Sequence, residues 1–134
     1  MVEQMPLKRP KRVAQLIQKE ISAIIQRQIK NPQLGFVTIT AVEVTEDLQH
    51  AKVYFTVYGS EEERISTEKL LKKMTSFVRY HVSQRIRLRY TPEIVFQYDE
   101  TMERAARIDE LINQIRREKN DAEGTRERKK GNNQ

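Results

Sequence analysis

The sequence predicts an α+β fold in the order helix, strand, strand, helix, strand, helix, with the helices packed on one face of a small three-stranded sheet. Three observations carry this. Residues 9–30 place Val13, Leu16, Ile17, Ile21, Ile24 and Ile25 at three- and four-residue spacing, the period of a helix with one buried stripe. Residues 50–58 alternate strictly: Ala51, Val53, Phe55 and Val57 face one way, and Lys52, Tyr54, Thr56 and Tyr58 the other, as in a strand buried on one face. The link Thr45-Glu46-Asp47-Leu48-Gln49 is too short for a crossover, so the two strands it joins form an antiparallel hairpin.

The first helix is expected over residues 9–30. Pro10 suits a first turn, and Asn31-Pro32 ends the helix, because proline lacks an N–H and restricts the residue before it. Residues 36–44, rich in Val, Ile and Thr, read as the first strand, and residues 50–58 as the second. Ser60 with Glu63 has the spacing of a capping box, with Ser66 or Thr67 as the competing cap. A second helix then runs to about Gln84, burying Leu70, Leu71, Met74, Phe77, Val78 and Val82. Residues 93–98 read as a third strand, with Ile94, Phe96 and Tyr98 on one face. A third helix, capped by Asp99 or Thr101, is expected to end near Arg116, with a stripe of Ala105, Ile108, Leu111, Ile112 and Ile115. Three parts follow: a flexible N-terminus over residues 1–7, one domain over 8–117, and a charged tail over 118–134 expected to be disordered for want of apolar side chains.

The 134 residues suit one domain with a modest core, and the net charge is +6. With no cysteine, disulfides, thiol nucleophiles and thiolate metal sites are excluded. No apolar run approaches the ~20 residues of a membrane span, and residues 1–10 lack an apolar signal core. A cytoplasmic protein is expected. No catalytic set stands out. His50 lies beside a turn, and His81 reads as a packed structural histidine. Asp99, Glu100 and Glu103 complement a helix start, with Glu100–Arg104 and Glu103–Arg107 at ion-pair spacing. Neither a zinc site nor a phosphate-binding glycine loop has the residues it needs. No enzyme, metal or cofactor is expected.

The charge is segregated. Residues 69–92 hold seven basic residues and no acid, residues 1–34 hold seven basic and two acidic, and the rest of the chain is net acidic. A solvated face normally mixes signs, so segregation points to a polyanion, most simply a phosphate backbone. The candidate RNA-binding residues are Lys8, Arg9, Lys11 and Arg12 of a basic arm; Lys69, Lys72, Lys73, Ser76, Arg79 and Tyr80 of the second helix; and Arg85, Arg87 and Arg89 of the alternating run after it. Tyr80 offers a ring for an unpaired base. Tyr54 and Tyr58 read as strand-face packing. The competing readings are an adaptor that docks its basic face on an acidic partner, and an RNA-processing enzyme, against which the missing acid or histidine cluster argues.

Several segments, in order, resemble the ribosome-binding factor A family: Arg9-Pro10-Lys11-Arg12-Val13-Ala14, Asp47-Leu48-Gln49-His50-Ala51-Lys52-Val53-Tyr54, Arg85-Ile86-Arg87-Leu88-Arg89 with Thr91-Pro92-Glu93, and Tyr98-Asp99-Glu100-Thr101 followed by Arg107-Ile108. The resemblance covers roughly residues 8 to 116. It implies a type II K-homology-like fold without the Gly-x-x-Gly loop, since no glycine lies between Gly59 and Gly124. It also implies a non-enzymatic, monomeric assembly factor. Such a factor binds the small ribosomal subunit during late maturation, assists folding or processing of its RNA, and leaves with the help of a maturation GTPase. The family's Ala-x-Gly kink in the second helix is matched here by Met74-Thr75-Ser76, and its frequent later glycine by Ala105. Serine and threonine bend a helix by bonding back to a carbonyl, so a bend is expected near Ser76.

Overall fold

The computed structural model describes the backbone of residues 9–132 and the side chains of residues 9–123; the expectations for residues 1–7, Lys8, 133 and 134 lie outside them. The chain forms two compact units, divided between Asp99 and Glu100, and each is described by itself.

In the first unit, α1 spans Arg9–Arg27 and buries Val13, Ile17, Ile21, Ile24 and Ile25. Each such side chain, fully buried, stabilises by about 1.5–3 kcal/mol relative to an exposed one. Leu16, expected on this stripe, is instead half exposed. The helix also ends three residues before Lys30. The Ile29 N–H bonds back to the Ile24 carbonyl at 3.3 Å, and the Asn31 side chain accepts from the Gln33 N–H at 2.9 Å. That local turn competes with helix at the residue before proline.

The strands β1 (Phe36–Val44), β2 (His50–Tyr58) and β3 (Glu93–Tyr98) have the bounds expected from the sequence. Their sheet order is β1-β2-β3. The β1–β2 pairing is antiparallel, with a register shift between Ile39 and Ala41, and the β2–β3 pairing is parallel. Asp47 fixes the hairpin turn. Its carboxylate accepts from the Thr45 hydroxyl at 2.6 Å and the Gln49 N–H at 3.0 Å, and these bonds hold its pKa below the usual carboxylate value. Leu48 takes a positive φ of 61° there.

The expected second helix is two: α2 (Glu61–Lys73) and α3 (Thr75–Arg85). The Ser60 hydroxyl caps α2 by accepting from the Glu63 N–H at 3.1 Å, so Ser60 is the cap and Thr67 is not. Thr67 is fully buried and accepts from the Gly35 N–H at 2.9 Å. The break falls at Met74, with φ −90° and ψ 6°, rather than at Ser76. The Thr75 hydroxyl donates to the Lys72 carbonyl at 2.9 Å and lies 3.1 Å from that of Leu71, the back-bonding that bends a helix without glycine.

One apolar cluster joins α1, the sheet and α3 through Ile17, Ile21, Val53, Phe55, Val78, Val82, Ile94 and Phe96. Phe55 meets Phe96 and Tyr98 edge-on at centroid distances of 6.3 and 5.8 Å. The three helices thus cover one face of the sheet, an α+β layer arrangement.

The second unit contains α4, Thr101–Asn132. It continues well past Arg116, so residues 118–132 of the expected disordered tail take helical form. Residues 101–123 include no proline or glycine and many strong helix formers, and an i,i+4 pair, Arg104–Glu100 at 3.1 Å, sits at the start. Ile108, Leu111, Ile112 and Ile115, the stripe read from the sequence, are exposed along it.

Candidate nucleic-acid interface

The cations of residues 69–92 come to the surface from three elements: α2, α3 and the irregular segment that links α3 to β3. Amphipathic spacing turns Leu70, Leu71, Val78 and Val82 inward, which leaves Lys69, Lys72, Lys73, Ser76, Arg79 and Tyr80 exposed. Beyond α3 the alternation continues without a strand. Ile86 is buried and Leu88 half-buried, while Arg85, Arg87 and Arg89 point outward. Pro92 is buried and fixes the start of β3.

The exposed cations are not equivalent. Arg79 donates from Nε to the Pro92 carbonyl at 3.2 Å and from Nη2 to the Thr91 carbonyl at 2.8 Å. It ties α3 to the start of β3 and has fewer donors left for a phosphate. Arg85 pairs with Glu20 of α1 at 3.4 Å, and Lys72 with Glu68 at 3.5 Å. Lys69 and Lys73 have no acidic partner among the described residues. Arg87 has none either, and the Arg89 guanidinium lies 5.6 Å from the centre of the Tyr90 ring. Tyr80 is 60% exposed and touches the His81 ring at 5.5 Å. Arg9, Lys11 and Arg12 are exposed in the first turns of α1.

His81 is half-buried with its ring centre 4.4 Å from that of Phe77, which agrees with a packed histidine. The Tyr54 hydroxyl donates weakly to Glu43 across the hairpin at 3.4 Å. Tyr58 departs from its expected packing: it is 86% exposed, opposite Phe36 in the strand register, and Phe36 is 79% exposed. The sequence reading missed this pair, since alternation places Phe36 on a face but does not tell that the sheet ends there. No group of three or more His, Asp or Glu side chains is placed to hold a metal among the described residues. No described helix is long and apolar enough to cross a membrane.

Helix, hairpin, broken helix pair and parallel third strand define a K-homology-like α+β module without a Gly-x-x-Gly loop. A family model described as ribosome-binding factor A matches residues 9–112. A ribosome-binding factor A from Halothermothrix orenii is 46% identical over 114 residues, 85% of this chain and 93% of the relative. The chain therefore belongs to the ribosome-binding factor A family. The solution structure of a Thermotoga maritima protein assigned as a ribosome binding factor A superposes with TM-score 0.62 at 33% identity, covering 71% of this chain and 91% of that one. A homology model of the Thermus thermophilus ribosome binding factor A, as fitted into a cryo-EM map of its complex with the 30S subunit, superposes with TM-score 0.52 at 21% identity, over 69% of this chain and 92% of that one.

Proposed function

We propose that this protein is a non-catalytic assembly factor that binds the small ribosomal subunit during late maturation and assists folding or processing of its RNA. The observation that carries the reading is the set Lys69, Lys73 and Arg87: exposed cations without acidic partners among the described residues, on a module whose family is named for ribosome binding. The Thermus thermophilus relative fitted into a 30S complex supports the choice of subunit.

RNA phosphates are met by Lys69, Lys72, Lys73, Arg85, Arg87 and Arg89, and by the arm of Lys8, Arg9, Lys11 and Arg12. Ser76 leaves room for the backbone at the α2–α3 break, and Tyr80 stacks on an unpaired base. Arg79 mainly shapes this surface by holding the start of β3. The factor acts in the cytoplasm as a monomer over residues 8–117, and a maturation GTPase assists its release.

The test is co-sedimentation with immature and mature small subunits across salt. Phosphate contacts predict a steep fall in binding as salt rises. Lys73→Glu with Arg87→Glu should abolish co-sedimentation of a folded protein. Retained binding by that double variant, or a flat salt response, would reject the RNA face.

A further inference from the structure

A cleft of about 550 Å³ lies between the turn after α1 and the outer face of α2. Asn31 and Gln33 line it from the turn, and Glu62, Ile65, Lys69 and Lys73 from the helix. The helix residues recur at three- to four-residue spacing, so they form one stripe along α2. The stripe is ordered by chemistry: a carboxylate at the N-terminal end, a half-exposed isoleucine next, then two lysines. Glu62 and Lys69 are seven residues apart, about 10 Å along the axis. Lys73 follows one turn later.

We infer that this cleft seats one unpaired guanine nucleotide of the RNA, its base edge on Glu62 and its phosphate on Lys69. The inference rests on the RNA-binding reading above and names what that surface selects. Lys69 and Lys73 suit phosphates, but Glu62, about 10 Å along the helix at the other end of the cleft, has no use in a pure phosphate site. The same carboxylate is an acceptor pair for two adjacent N–H donors. Of the four bases only guanine presents two such donors on its Watson–Crick edge, N1–H and the N2 amino group. Its O6 then needs a donor. The Asn31 side-chain Oδ1 accepts from the Gln33 N–H at 2.9 Å, which leaves the Asn31 side-chain amino group available to donate, and the Gln33 side chain supplies a second amide. Ile65, 40% exposed, gives the base an apolar wall. Lys69 and Lys73 lie one turn apart without acidic partners among the described residues, in position for successive phosphates. An acidic peptide fits less well, since Glu62 opposes it at one end.

The test is an NMR titration of the full chain with the 5′-monophosphates of guanosine, adenosine, cytidine and uridine, with inorganic phosphate and an oligoglutamate peptide as controls. Guanosine monophosphate should shift the amides of Gln33, Ile65 and Lys69 and bind about fivefold more tightly than adenosine monophosphate, the worth of a modest paired contact to a base edge. E62Q should keep a folded spectrum and lose that preference, and Gln33→Ala should weaken it. Equal binding of all four nucleotides, the same shifts from inorganic phosphate or oligoglutamate, or an unaltered preference in E62Q would each overturn the inference. Small-subunit co-sedimentation, run in parallel on the unaltered protein, separates the two ideas. Normal co-sedimentation with no guanine preference removes the cleft and leaves the RNA face, whereas lost co-sedimentation removes the face itself.

Discussion

The helix α1 and the α2–α3 pair cover the same sheet but are built differently. α1 runs nineteen residues without interruption and commits five aliphatic side chains to the core. The pair α2–α3 is interrupted at Met74, and its outward side carries a row of cations. Self-repulsion of those cations and a lost turn of hydrogen bonding both cost stability, which α1 and the sheet offset. The difference separates a frame from a surface. The uninterrupted helix supplies the frame, and the interrupted one supplies a charged surface whose direction changes midway.

The largest effect should come from the frame. Ile21→Ala should cost about 2–5 kcal/mol, because the site is fully buried and cannot collapse around the cavity. Urea denaturation measures this directly. A loss under ~1 kcal/mol would mean that α1 is not the frame.

Next comes the seam between the regions. Thr67→Val leaves the Gly35 N–H without its acceptor and should cost about 1–3 kcal/mol. Thermal unfolding of this variant against Thr67→Ser sharpens the point, since serine keeps the hydroxyl. Equal losses in both would assign the cost to packing of the methyl group instead.

Two cations of the interrupted region should then part company. Arg79→Ala should lower stability by about 1 kcal/mol through its bonds to the Thr91 and Pro92 carbonyls. Lys73→Glu should change stability by no more than ~0.5 kcal/mol and still reduce subunit binding at least tenfold. Identical profiles for the two variants in unfolding and in co-sedimentation would erase the distinction.

The smallest effect on stability should be that of Ser76→Leu, again within ~0.5 kcal/mol, because Ser76 is exposed just past the break. Its effect should appear in subunit binding, where a bulky apolar group obstructs the backbone. Full binding by a normally folded Ser76→Leu protein would place the RNA path elsewhere.

Most of this fold was legible in the sequence, for physical reasons that also mark where legibility stops. The second and third strands carry period-2 alternation and the first is rich in Val, Ile and Thr, and their bounds followed from these signals. The α2–α3 break was expected only through the family resemblance, near Ser76, and it falls at Met74. Leu70, Leu71, Met74, Phe77 and Val78 continue one apolar stripe through it, and no glycine or proline marks the spot. Only the Thr75 hydroxyl does, and its choice of acceptor is a matter of three dimensions. The parallel pairing of β3 with β2 was equally hidden, since a six-residue strand reads alike in either direction. In the candidate interface, charge located the row of cations, but charge does not name a partner. Arg79 and Lys73 look equivalent as letters, and they differ because two carbonyls lie within reach of one. The cleft went unseen because Asn31-Pro32 read simply as a helix stop, while the α2 residues facing that turn lie some thirty positions later.

The register shift between Ile39 and Ala41 has a bearing on what can add to the edge of this sheet. β1 lies at the edge of the sheet, where unpaired N–H and C=O groups are a template on which a strand of another molecule can add. A nine-residue ladder with Val, Ile and Thr side chains would be an inviting one. The extra residue, Thr40, interrupts it near the middle, so an incoming straight strand can match one half of the edge and not both. Thr40 also donates from its hydroxyl to Asp99 at 2.6 Å, which fixes the irregularity in place. A single unpaired residue thereby guards an edge that another exposed strand would otherwise find adhesive.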